Sequence, residues 1–139
     1  GVYENLFYPD LNSTFTAEVL EMTRMREAYP EAYDRVAHRR VTNAGVQKAL
    51  FGLIVCWELL ATIALWIGFG AMCGALIGWI VPQMALSLAL IGVLLFTSTW
   101  AGFLVVGNWF CYWFCHEGAQ NTHYQMTLWG IVTAVLLIV

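Results

Sequence analysis

The chain divides into stretches of different polarity. Between Asn12 and Tyr29 the apolar residues Phe15, Val19 and Met22 recur at four- and three-residue spacing while Glu18, Glu21 and Arg24 fall mostly elsewhere, a pattern that predicts an amphipathic helix. Asn12, Ser13 and Thr14 offer side-chain oxygens for its N-cap. Pro30 predicts its end near Tyr29, because a residue before proline is disfavoured in helical geometry. Pro30 also suits the first position of a second helix, in which Glu31 with Arg35 and Asp34 with His38 stand four residues apart.

The pattern then changes to nearly unbroken apolar sequence. A first spanning helix is predicted over about Val46–Gly68, with Asn43 as its cap; Ala49 to Ile67 rises roughly 28 Å, close to the thickness of a bilayer core. From Phe69 to Gln83 the run is punctuated by Gly70, Gly74, Gly78 and Pro82, which predicts a connection: close helix contact, a tight apolar turn or a short re-entrant piece. A second span follows over about Met84–Val106, with Gly92 and Gly102 as expected points of close contact. A third begins near Asn121 or Thr122 and runs to Val139. The expected fold is all-α: a polar helical arm over residues 1–45 and a transmembrane helix bundle over residues 46–139.

Charge sharpens this division. Of the chain's 139 residues 60% are hydrophobic and 11% charged; all six Lys and Arg and seven of the nine Asp and Glu lie before residue 49. The remainder carries only Glu58 and Glu117, which suits a surface facing lipid or other apolar helices. A net charge of -3 argues against nucleic acid as a partner.

Candidate chemistry is sparse. Glu58 falls near the middle of the first predicted span, where an ionised carboxylate is unfavourable unless paired, hydrated or protonated, so it should face protein. It is read either as a proton-carrying or ligand-binding group or as a structural carboxyl that locks helix packing. The stretch from Val106 to Tyr124 gathers Trp109, Trp113, Cys111, Cys115, His116 and His123 between apolar runs, as at a membrane–water boundary. Cys111 to His116 has one residue too many for the usual c-type haem attachment. On a helix the two thiols would share a face and His116 would point away, so no metal site is expected. His116 or His123 remains a candidate ligand for a haem, a pigment or a quinone, set against the reading of an interfacial aromatic belt with solvated histidines. No arrangement of Ser, His and Asp suggests a nucleophile, and no phosphate-binding glycine loop is present, so an enzyme is not expected.

Trp57-Glu58 inside a membrane helix, then Gly107-Asn108-Trp109-Phe110, Trp113 and Ala119-Gln120 before a final span, together resemble a bacterial family of predicted small integral membrane proteins of unknown function. Asn12, Phe15, Val19 and Met22 fit the Asn-rich, Met-containing segment that follows the first helix of that family. The resemblance implies four spans, the first preceding Gly1, and the bacterial cytoplasmic membrane. This chain has Asn108 where the family usually has Glu, and Glu117-Gly118-Ala119-Gln120 where it has Trp-Asn-Gly-Gln. Read alone, the bases of the arm would place it in the cytoplasm; a preceding span makes it an external loop, the placement favoured here. Either way the arm and the Asn108–Asn121 segment share a side of the bilayer.

The expectation is a small accessory or assembly subunit of a larger membrane complex, of energy metabolism for example, contacting lipid and other subunits. Phe15, Val19, Met22, Trp109 and Trp113 are its expected interface residues, and Glu58 and Asn108 its expected interior polar residues. The alternative is a redox, proton or small-molecule transfer module using Glu58 with His116 or His123.

Overall fold

The computed structural model describes residues 2–139 and is all-α, with no strand among the described residues. Four short helices form the arm: α1 Val2–Phe7, α2 Asp10–Glu21, α3 Thr23–Ala28 and α4 Pro30–Val36, followed by a 3₁₀ turn over Ala37–Arg39. Three long helices follow: α5 Ala44–Leu76, α6 Pro82–Trp109 and α7 Glu117–Ile138, with a second 3₁₀ turn over Tyr112–Phe114 between the last two.

Several boundaries follow directly from side chains. The Asn43 side chain accepts hydrogen bonds from the Gly45 and Val46 amides at 2.9 and 3.1 Å and caps α5. Pro30 and Pro82 open α4 and α6 at positions where a helix needs no amide donor. In the arm the predicted single helix is broken at Met22, whose left-handed backbone (φ 56°) ends α2 and starts α3. The turn lets the Met22 side chain enter the core, where it is 2% exposed. The start also differs from expectation: α2 begins at Asp10, so Asn12, Ser13 and Thr14 lie within the helix instead of capping it.

The expected connection from Phe69 to Gln83 is mostly helix. α5 continues through Gly70 and Gly74 to Leu76, because a backbone surrounded by apolar groups keeps its hydrogen bonds within the helix. The turn itself is only Ile77 to Val81. Gly78 adopts φ +79°, and the amides of Trp79 and Ile80 return to the Gly74 carbonyl at 2.8 and 3.3 Å. At 33 residues α5 is about 50 Å long, well beyond the ~30 Å of a bilayer core.

α5 and α6 are antiparallel neighbours in close backbone contact at two places. A Cβ added at Gly68 would lie 2.7 Å from the Ala89 Cα, and one at Gly92 would lie 2.9 Å from the backbone of Ala64 and Leu65. Gly102, also expected at a contact, has open space around it, as does Gly70. α7 packs along the other side of α6, where Gly130 receives the Thr97 side chain. α5 and α7 make no substantial contact with each other, so the three helices form an open row with α6 in the middle.

α5 and α6 are each long and apolar enough to cross a membrane. α7 begins four residues earlier than the nearest expected start, and its first half is polar through Gln125. The tightest core lies at the end of the row remote from the α5–α6 turn. There Leu20, Met22, Met25 and Tyr33 of the arm pack with Phe110 and Cys111, joined by Val41, Leu50 and Phe114. The arm and the segment after α6 therefore lie at the same end of the molecule.

Substituting Ala at Gly68 or Gly92 should push two backbones apart and lower stability by about 1–3 kcal/mol, the usual range for overpacking. Ala at Gly102, which meets nothing within 4 Å, should be neutral or slightly stabilising. Thermal unfolding of the three variants in mild detergent checks the ordering.

Candidate functional site

α2 runs back along the first half of α5. Near the start of α5 Gln47 donates to Glu21 Oε1 and to the Val41 carbonyl, both at 2.8 Å. Further along, α1 brings Asn5 to Glu58, and Asn5 Nδ2 donates to Glu58 Oε2 at 2.7 Å. Asn5 Oδ1 accepts in turn from Asn12 Nδ2 at 2.6 Å. A chain of three polar side chains thus ties two arm helices to the carboxylate of the first long helix. Asn5 is buried and Glu58 is half-buried, so each satisfies a group that would otherwise be poorly solvated. Glu58 meets the arm; Asn108, expected like it in the interior, is instead exposed at the C-terminal end of α6.

Other hydroxyls of the long helices are used locally. Thr62, Ser87, Thr97, Thr99, Thr127 and Thr133 each donate to a carbonyl four residues earlier, and Trp57 Nε1 donates to Ser98 Oγ at 3.3 Å.

The segment after α6 is shaped by two backbone features. Cys111 adopts a left-handed conformation (φ 54°) and turns the chain out of α6. Gly107 has no side chain to hold off the Tyr112 ring, which lies where a Cβ would approach within 2.7 Å. Tyr112 then stacks on His123 with centroids 6.0 Å apart and planes at 19°. Trp100 and Phe103 of α6 approach the same imidazole at 5.6 and 4.9 Å. Within this aromatic group Trp100 Nε1, Tyr112 Oη and His123 Nδ1 are buried without a hydrogen-bond partner among the described residues.

His116 belongs to a different environment. It is buried against the arm, with Phe15 edge-on at 5.1 Å, and its Nδ1 also lacks a partner among the described residues. Burial lowers its affinity for a proton below that of an ordinary imidazole; the Arg24 guanidinium acts in the same direction, and Glu18 against it. The two histidines grouped by the sequence as cofactor candidates are therefore divided, one facing the arm and the other facing α6. Burial raises the Cys115 thiol above its ordinary range, opposed by Arg24 and reinforced by Glu117, which keeps it protonated. Among the described residues no three His, Cys, Asp or Glu side chains converge as a metal-binding group.

The expected interface residues are distributed unevenly. Phe15, Val19 and Met22 face inward: Phe15 meets His116, while Val19 and Met22 belong to the arm core. The stripe was legible, but its partner proves to be the segment that follows α6 in the same chain. Trp109 and Trp113 are exposed. Arg39 lies over the Trp109 ring at 4.8 Å and donates to the Trp109 carbonyl at 3.2 Å, closing the C-terminal end of α6 with a cation. Sequence reasoning missed Asn5, whose only signal was an amide beside Glu4 in a short, otherwise apolar stretch. A shallow groove of about 390 Å³ runs between Leu104 of α6 and Glu117, Gln120, Asn121 and Tyr124 of α7.

Two long apolar helices carrying a folded polar arm define an all-α integral membrane protein. Over residues 1–139 the chain matches, and belongs to, the family described as predicted small integral membrane protein (DUF2165). No curated protein and no solved structure matches it.

Replacing Asn5 with Ala should free the arm from Glu58. With a loss of about 1–2 kcal/mol, hydrogen exchange over residues 2–21 should accelerate roughly 5- to 30-fold. Glu58→Gln retains an acceptor for Asn5 and should have a smaller effect than Glu58→Ala.

The buried imidazole of His116 supplies a second prediction. Its proton affinity is lower in the folded chain than in the unfolded one, so the unfolded state binds more protons in acid. Stability should therefore be unaffected above the ordinary histidine pKa of about 6.5 and should decline as pH falls below it. Melting curves between pH 7.5 and 5 should show this decline, and His116→Gln should make it shallower.

Proposed function

We propose that this protein is a small accessory or assembly subunit of a larger membrane complex, with α7 as a third spanning helix in the bacterial cytoplasmic membrane. The observation that carries the reading is the open row. α6 is covered on two sides, whereas α5 packs on α6 and, over its first half, on the arm, and α7 packs on α6, so that much of the apolar surface of α5 and α7 stays uncovered. Helices that associate in lipid do so through close packing and polar contacts, and α5, α6 and α7 use such contacts only along two seams. Further helices supplied by other subunits would complete the bundle. The hydroxyls of the long helices are bonded within the chain and Glu58 is held by Asn5, an arrangement that favours a structural part over a transport path.

A transfer module is the second reading, favoured by the unpartnered Trp100 Nε1, Tyr112 Oη and His123 Nδ1. Three buried polar atoms in one aromatic group suit a small polar ligand or quinone headgroup. In that reading Glu58 would serve at a distance as a proton carrier, and the protein would not itself be an enzyme.

Extraction from native membranes in gentle detergent, followed by mass spectrometry of what co-purifies, tests the subunit reading. Recovery with a partner in fixed stoichiometry is the expected result. A solitary chain, with a visible absorbance band lost in His123→Ala, would instead support the transfer module.

A further inference from the structure

Asn5 fixes the height of α1 against α5. Its hydrogen bond to Glu58 holds α1 beside a point about 21 Å along the helix from Ala44 and about 27 Å from Leu76. This short helix, the elbow after it and the first turn of α2 expose Tyr3, Leu6, Phe7, Tyr8 and Leu11, each at least 49% accessible. Tyr3 lies 4.8 Å from the Phe7 ring and 6.5 Å from the Tyr8 ring, so the aromatics form one continuous patch. Glu4 and Asp10 are interspersed with it in sequence. No part of the described chain covers this patch.

We infer that this patch is an interfacial anchor whose partner is the headgroup and upper acyl region of the bilayer, and that Glu58 marks the membrane boundary on the arm side. Three observations agree on the height. The distance from Glu58 to the far end of α5 is about 27 Å, close to the ~30 Å of a hydrocarbon core. At that far end Trp79 is 83% exposed and Gln83 is exposed, an aromatic and polar marker of the opposite boundary. Across the row at that height, Trp57 of α5 bonds to Ser98 of α6, Trp100 of α6 meets His123 of α7, and the next residues of α7, Tyr124 and Gln125, are both exposed. Tyr and Trp on both flanks at one height form the belt expected where hydrocarbon gives way to headgroups.

Above that height α5 extends by about 21 Å to Ala44, and there the arm packs on one side of it with the core around Leu20, Met25, Tyr33 and Phe110, while Leu53 on that stretch stays exposed. That part of α5 is then the mast of an extramembrane head, not buried span. The sequence alone puts Glu58 in mid-bilayer because it shows an apolar run without showing where the lipid begins. At the boundary, the carboxylate is held by Asn5 and stands within reach of water. The anchor is independent of the proposed subunit role, since it concerns depth and not lateral partners.

The test is photocrosslinking of the full chain in vesicles of phosphatidylethanolamine and phosphatidylglycerol, with p-benzoylphenylalanine replacing Phe7. The same label in place of Trp79 serves as a control at the opposite boundary, and in place of Glu27 as a control in the head. The expected result is a phospholipid adduct at Phe7 comparable with that at Trp79 and well above that at Glu27, with fragmentation placing it on the glycerol or upper acyl carbons. A Phe7 yield no higher than Glu27 would overturn the inference, as would adducts mainly to a second copy or to another protein, or attachment near the terminal methyl groups.

Discussion

The register between α5 and α6 governs the rest of the structure. It is set by two glycines that admit the opposing backbone, Gly68 against Ala89 and Gly92 against Ala64 and Leu65. With no water in the membrane to expel from between the helices, close approach is what holds them together, and a missing Cβ provides it. Once these contacts are made, Phe110 at the end of α6 comes level with Leu50 of α5, and the arm finds a surface on which to fold. The arm has too few apolar residues for a core of its own. Leu20, Met22, Met25 and Tyr33 are buried because Phe110 and Cys111 complete the cluster. The Asn5–Glu58 bond ties α1 to α5 beside the docked α2.

Much of this was legible in the sequence, for identifiable reasons. The apolar runs, Asn43 as a cap, the helix boundary before Pro30 and Gly92 as a contact all rest on local chemistry that a single segment carries. What the sequence could not show depends on geometry between segments. Gly92 and Gly102 look alike in sequence, yet one faces α5 and the other faces open space. The glycine-spaced stretch after Phe69 read as a connection, but without water to bond an opened backbone the helix continues to Leu76, and Gly78 with its positive φ makes the turn beyond it. The break at Met22 was hidden because methionine is an ordinary helix former; burial of its side chain stabilises the left-handed conformation there.

The same distinction applies to the candidate site. Glu58 stood out as an acid within an apolar run, and Asn5, its partner, lies far away in the chain and had no comparable signal. His116 and His123 are close in sequence, but the 3₁₀ turn and the start of α7 direct them to opposite packing environments, one against Phe15 and one against Tyr112 and Trp100. The two candidate ligands that lie close in sequence therefore belong to separate sites. The unpartnered polar atoms around His123 are the more concentrated chemical feature, because three of them share one aromatic enclosure.

Stability in this chain is divided between two solvents, and the division explains why the polar contacts lie where they do. In the head, apolar burial is driven by water, and the arm gains by covering Phe110 and the first turns of α5. In the row, lipid is as good a neighbour for Leu or Val as another helix is, so only close seams and polar bonds distinguish one arrangement from another. The Asn12–Asn5–Glu58 chain joins these two regimes. A hydrogen bond that would contribute little on an open surface becomes decisive there, because the half-buried carboxylate would have neither full hydration nor a protein donor without it. Folding of the head therefore satisfies a group on a long helix, and packing of α5 with α6 supplies the floor on which the head folds. Each region completes the other, which makes residues 2–41 part of the membrane protein's structure and not an appendage to it.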